Sequence, residues 1–193
     1  MFEKLAFYCI INMMKNYLKQ NYKIVILKLL IVLFVLAIDI ITKVVFANIF
    51  SERYLQSNFD NIIFIKGLIS FTYTENIGAA FSMFSGEVVF LIIFSIIFIG
   101  FFIYMDISFK DNHPLSIAGF TLVMGGAIGN FVDRIFLGYV RDFISFDIIP
   151  NFAICNFADV CITIGCVCYC VYLLVYLLKS SKKKEDNAKK DEE

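Results

Sequence analysis

Asp39, Asn76, Asn130, Asp133, Arg134, Asp142, Asn156 and Asp159 stand within or beside long apolar stretches of this 193-residue chain. Ionisable and amide groups at membrane depth are costly unless partnered, so each is a candidate functional group. Two carboxylates brought close together cannot both ionise easily. They share a proton, one activating water as general base and the other polarising a scissile carbonyl as acid. Asp142 fits such a role because an extended chain over residues 138–146 puts it on the face of Val140, Ile144 and Phe146, where a carboxylate needs a partner. Burial is then expected to raise the proton affinity of Asp142, while the positive end of a helix starting near Asp159 favours charge there.

The same residues have structural readings. Asp39 and Lys43 are spaced i,i+4 with the acid first, the favourable order for an ion pair. Asn130, Asp133 and Arg134 can bond loop backbone where a helix stops, and Gly125-x-x-x-Gly129 before them suits close helix packing. Asn156-x-x-Asp159 ahead of an apolar run has the form of a capping box. On spacing alone, chemistry and architecture remain alternatives for this set.

The elements that must position these groups are membrane helices. The chain is 60% hydrophobic with a mean hydropathy of +0.80, beyond the range of soluble domains. A hydrocarbon core of about 30 Å needs roughly 20 apolar residues in a helix, and four stretches qualify: 24–46, 88–105, 114–132 and 160–178. The first is too long for a signal-peptide core and no small-residue cleavage site closes it, so it is read as retained. The fold class is therefore a membrane all-α protein with a small β element. Residues 1–23 form an N-terminal extension, 24–178 a four-helix membrane domain and 179–193 a disordered charged tail. The extension is an interfacial helix, or translation begins at Met13 or Met14.

Lysines near both ends (Lys4, Lys15, Lys19 and Lys23, with Lys28 close enough to snorkel, and Lys179 to Lys190) put both termini in the cytoplasm. Residues 47–87 and 133–159 then face outward, which collects the candidate groups on the outer side, and 106–113 form an inner loop. In the first outer loop Ile69, Phe71 and Tyr73 alternate with Ser70, Thr72 and Thr74, as in a ribbon lying on the membrane surface. It leads into Asn76-Ile77-Gly78-Ala79-Ala80-Phe81, whose small residues allow close backbone approach.

Other function classes lack support. Seventeen basic and seventeen acidic residues leave no basic excess for nucleic acid. Cys161, Cys166, Cys168 and Cys170 lie in one apolar run as packing residues, Cys9 and Cys155 are isolated, and His113 precedes Pro114 in a polar loop. No spacing suits zinc or a Ser/His triad. A proton-coupled transporter would place acids near the midplane and carry an internal repeat, and neither is seen. A noncatalytic assembly protein would use the carboxylates only as caps and pairs.

Four blocks resemble the bacterial lipoprotein signal peptidases, the type II signal peptidases: Asp39-Ile40-Ile41-Thr42-Lys43; Asn76 to Ser82; Gly125 to Arg134 with Gly138-Tyr139-Val140-Arg141-Asp142-Phe143; and Phe152 to Asp159. The resemblance covers about residues 24–178 and implies a cofactor-free aspartyl endopeptidase of the bacterial cytoplasmic membrane. Such an enzyme cuts prolipoproteins just before the diacylglyceryl-modified cysteine. It implies Asp142 and Asp159 as the catalytic pair near the outer leaflet, and Asn76, Asn130, Arg134 and Asn156 lining the site. Asp39, Lys43, Gly78 and Asp133 are implied as structural support, and the first outer loop as part of a β-sheet cradle. Prolipoproteins and membrane lipids are the implied partners, cyclic peptide antibiotics the implied inhibitors, and the enzyme a monomer. Three features depart from the family pattern: Arg141 beside Asp142, a longer run before Ile24, and no Trp, whose interfacial place Tyr and Phe can take.

Overall fold

The computed structural model describes the backbone of residues 2–55, 61–79, 83–109, 112–150 and 152–191, and the side chains at 12, 19–52, 61–79, 83–109, 112–150 and 152–181. Ala80, Phe81, Ser82, Cys9 and the side chains of Lys4, Lys15, Met13, Met14 and the tail lysines beyond 181 lie outside the described residues.

Among the described residues four helices are long and apolar enough to cross a membrane: α1 (Phe2–Leu55), α2 (Val88–Phe109), α3 (Pro114–Leu137) and α4 (Phe157–Asp191). Each includes its expected span and runs past it. Extending an existing helix adds one hydrogen bond per residue without a new nucleus, so polar flanks with fair helix propensity continue it. Hence α1 takes in the N-terminal extension, bent at Asn21 (φ −121°, ψ 20°). Residues 179–191 are helical where a disordered tail is expected. Asp106, expected in a loop, is buried inside α2.

Helix α3 is the most enclosed of the four and packs between α1 and α4 because its glycines let both neighbours approach. A Cβ at Gly125 would lie 2.6 Å from Val35 Cγ1, one at Gly126 would strike the Ala158 carbonyl, and one at Gly129 would strike the Asp39 carboxylate. Pro114 opens α3 at a position where its missing N–H is harmless, with His113 Nδ1 accepting from the Leu115 N–H. Gly138, at φ 81°, closes it in the left-handed conformation and turns the chain into the strand that carries Asp142.

At this end of the bundle lies an antiparallel sheet in the order β1 (Ile62–Ile65), β2 (Ile69–Asn76), β3 (Val140–Phe146). β2 pairs with β3 from Ile69↔Phe146 to Asn76↔Val140, with an irregularity between Phe71 and Thr74. The sheet is pinned to α1 where Phe46 stacks on Phe143 at 4.3 Å and meets Phe71 at 4.6 Å. The exposed apolar residues of the sheet are concentrated on β1, at Ile63, Phe64 and Ile65, whereas Ile69, Phe71 and Tyr73 are half-covered. At the opposite end of the bundle Lys28, expected to snorkel, is instead buried, with its ammonium 2.5 Å from Asp106 and over the ring of Phe120. A partner 78 residues away overrides the local expectation.

Candidate active site

The candidate groups converge where α1, α3, β3 and the start of α4 meet. Asp142 is brought in by β3 and Asp159 by the first turn of α4. A backbone clip joins the two segments: Phe143 and Ile144 N–H groups donate to the Cys155 carbonyl at 2.9 and 2.8 Å, and the Cys155 N–H returns to Ile144 at 3.0 Å. Asn156 follows, and its reciprocal bonds with Asp159 make a real capping box. The Asp159 N–H donates to Asn156 Oδ1 at 3.0 Å, and the Asn156 N–H donates to Asp159 Oδ2 at 3.1 Å. The cap does not exhaust Asp159, because its Oδ1 accepts from Asn130 Nδ2 at 2.7 Å. Asp159 therefore caps α4 and also borders a cavity.

Asp142 is buried and accepts from Asn156 Nδ2 at 2.6 Å on Oδ1 and from Asn76 Nδ2 at 2.9 Å on Oδ2. Asn156 thus touches both carboxylates. Burial, and after it the charge of Asp159, raise the Asp142 carboxyl to about 7, against the pull of the two amide donors. Cys155, close by, is pushed up to about 12 by burial and by the two carboxylates, which keeps its thiol neutral.

Behind the pair lies a buried charge chain. Lys43 reaches Asp39 Oδ2 at 2.8 Å and Asp133 Oδ2 at 3.4 Å, and donates to Asn130 Oδ1 at 2.9 Å. Asp39 Oδ1 accepts the Ala158 N–H at 3.0 Å, tying α1 to the first turn of α4. Asp133 and Arg134 do not end their helix, which runs on to Leu137. Instead Asp133 receives Arg141, and Arg134 Nη2 donates to the Gly78 carbonyl at 3.0 Å. The Gly78 N–H in turn donates to Asn76 Oδ1 at 2.9 Å, so Gly78 connects two lining residues through its backbone. The bond between Arg141 and Asp133 has no signal in local spacing, and gives Arg141 an anchoring contact.

Asn76, Asn130, Arg134, Asp142 and Asp159 line a cavity of about 470 Å³ whose other walls are mostly apolar, among them Phe146, Phe152, Ile154 and Ile162. A paired acid and carboxylate at the polar end of an apolar slot suit hydrolysis of a substrate with a greasy flank. Among the described residues no three His, Cys, Asp or Glu side chains are grouped to hold a metal.

Four spans, a small sheet and a cavity with polar and acidic groups in its wall define a multi-pass membrane protein with an enclosed polar site. Residues 31–175 match the family described as Signal peptidase (SPase) II. The lipoprotein signal peptidase of Lactobacillus johnsonii is 40% identical over 134 residues, which is 68% of this chain and 86% of that one. That of Caldicellulosiruptor bescii is 43% identical over 128 residues, 66% of this chain and 77% of its own. A bacterial membrane enzyme solved by the in meso method at 2.3 Å resolution superposes with a TM-score of 0.65 at 30% identity, over 81% of this chain and 90% of that one. The chain belongs to the signal peptidase II family. It is an aspartic-class peptidase and a multi-pass protein of the bacterial cytoplasmic membrane.

Proposed function

We propose that this peptidase removes the signal peptides of prolipoproteins by cutting before the diacylglyceryl-modified cysteine, with Asp142 and Asp159 as the catalytic pair. The observation that carries the reading is that both carboxylates border one cavity and share Asn156, whose Nδ2 reaches Asp142 at 2.6 Å and whose N–H reaches Asp159 at 3.1 Å. The pair holds one proton, on Asp142, as its raised proton affinity favours.

In the first step Asp159 takes a proton from water, the water oxygen bonds to the scissile carbonyl carbon, and Asp142 gives its proton to the carbonyl oxygen. In the second the tetrahedral intermediate collapses. The C–N bond breaks, Asp142 regains a proton from the collapsing hydroxyl, and Asp159 delivers the water's proton to the departing amine. Asn76, Asn130 and Arg134 line the site. Asn156, expected to line it, is fully buried behind the cavity wall and links the two carboxylates, and Asp39, Lys43, Gly78 and Asp133 brace the site. Lysines flanking α1 and α4 favour cytoplasmic termini, which puts the cavity near the outer leaflet, where a lipidated substrate enters sideways. The enzyme acts as a monomer, and cyclic peptide antibiotics of the family's inhibitor class are expected to occupy the same cavity.

Purified protein in detergent is incubated with a diacylglyceryl-modified prolipoprotein beside Asp142→Asn and Asp159→Asn. The parent is expected to cleave and both variants to lose turnover. If the variants cleave like the parent, the pair is misassigned.

A further inference from the structure

Three asparagine amides aim N–H groups at the two carboxylates, and in each the oxygen end is held by a donor that cannot serve as an acceptor. For Asn76 that donor is the Gly78 N–H at 2.9 Å, and for Asn156 it is the Asp159 N–H at 3.0 Å, both backbone groups. For Asn130 it is the ammonium of Lys43, at 2.9 Å. An ammonium carries three donors and no acceptor, and Lys43, fully buried, points its head at Asp39, Asn130 and Asp133. Asn130 Oδ1 also receives Asn156 Nδ2 at 3.1 Å. A half-turn of the Asn130 amide would set its NH₂ against two donors and its carbonyl against the Asp159 oxygen it now serves at 2.7 Å. That carbonyl could face Asp159 only if Asp159 held a proton. Amide orientation and proton location are therefore linked.

We propose that Lys43 is a positioning residue: by occupying Asn130 Oδ1 with a group that cannot accept, it commits the Asn130 NH₂ to Asp159 and so decides which of the two carboxylates keeps their shared proton. The inference rests on the peptidase reading above, and it gives Lys43 a part in the chemistry in addition to bracing. The charged and titratable groups around the pair are Lys43 and Asp39 from α1, Asp133 and Arg134 from α3, Asp142 and Arg141 from β3, and Cys155 before α4. Of these cations, Lys43 alone donates a side-chain hydrogen bond to a side chain whose other end contacts the pair, Oδ1 of Asn130 receiving the ammonium and Nδ2 reaching Asp159.

The test is the pH dependence of cleavage in the purified full chain. Asp39→Asn/Lys43→Met removes the ammonium together with one opposing charge, and Asp39→Asn alone is its control. With the ammonium gone, one donor, Asn156 Nδ2, opposes the half-turn instead of two, so the flipped amide becomes populated and stabilises a protonated Asp159. The acid limb of the rate profile is then expected to move up by about one pH unit, with kcat falling about 10- to 100-fold and KM within about threefold. Asp39→Asn keeps the parent's limb. If the double variant does not fold, Lys43→Gln decides, since its amide can present an acceptor to Asn130 where the ammonium cannot, and its acid limb is expected to move up as well. An unmoved limb in a folded Asp39→Asn/Lys43→Met, or in a folded Lys43→Gln where the double variant does not fold, overturns the proposal. A parent that does not cleave, or Asp142→Asn and Asp159→Asn variants that do, would instead fail the peptidase reading.

Discussion

Arg141 closes on both oxygens of Asp133: Nη2 meets Oδ1 at 2.7 Å, Nε meets Oδ2 at 3.2 Å, and the Arg141 backbone N–H adds a third donor to Oδ2 at 3.1 Å. The contact ties β3 to α3 one residue before Asp142. Burial works against the Arg141 charge, but the hydrogen-bonded Asp133 carboxylate more than offsets this and raises its pKa.

Arg141→Val would leave the buried Asp133 with Lys43 at 3.4 Å as its remaining cation. Breaking such a pair is expected to lower stability by about 2–4 kcal/mol, read as thermal unfolding in detergent. Asp133→Asn should lose stability and yield more than turnover per folded molecule. Combined, the two should cost at least about 1 kcal/mol less than their sum. Simple additivity would mean that the contact contributes little, and normal folding of Asp133→Asn with abolished turnover would overturn its bracing role.

The raised carboxyl of Asp142 has a definite sign in pH. Its ordinary value is 3.8, and in the folded protein it is pushed up to about 7 by burial and by Asp159. Between these values the folded state holds a proton that the unfolded chain releases. Stability from this group is thus full below about pH 4 and is lost as pH rises through about 7, by up to about 4 kcal/mol. Melting temperature should fall from pH 5 to pH 8 in the parent and less steeply in Asp142→Asn. Equal slopes would show that Asp142 does not titrate there. If Asp142 is the acid of the proposed pair, turnover should decline as pH rises above about 7.

Glycines in α3 and α2 should respond oppositely to alanine. At Gly129 a Cβ would strike the Asp39 carboxylate and displace a buried ion pair, so Gly129→Ala is expected to cost about 2–3 kcal/mol. At Gly100 a Cβ meets nothing within 4 Å, and Gly100→Ala should gain up to about 1 kcal/mol from helix propensity. Equal melting temperatures for the two variants would refute the close approach of α1 to α3.

The Lys28–Asp106 pair, remote from the cavity, separates stability from activity. Asp106→Asn removes the carboxylate charge 2.5 Å from the buried Lys28 ammonium, at an expected cost of about 3 kcal/mol. Specific activity of the folded fraction should stay at the parent's level. A loss of turnover without a loss of stability would mean that the two ends of the bundle are coupled.

The four membrane spans could be read from the chain by itself, because a helix in hydrocarbon must satisfy its own backbone and be apolar over its whole length. The capping bonds of Asn156 and Asp159 were legible for a similar reason: both partners lie within one turn. So was the Asp39–Lys43 pair. Helix ends were less legible, since nothing in a Lys- and Glu-bearing flank stops a helix already formed, and α4 continues to Asp191. What only the tertiary structure decided were contacts between residues far apart in the chain. Lys28 reads locally as a snorkelling lysine, yet it is buried against Asp106. Arg141 reads as an intruder beside Asp142, yet it anchors Asp133. Asn130 reads as an amide near a helix end. That its oxygen faces donors, Lys43 among them, and its nitrogen Asp159 follows from three helices packed closely enough that each end of the amide meets groups of one kind.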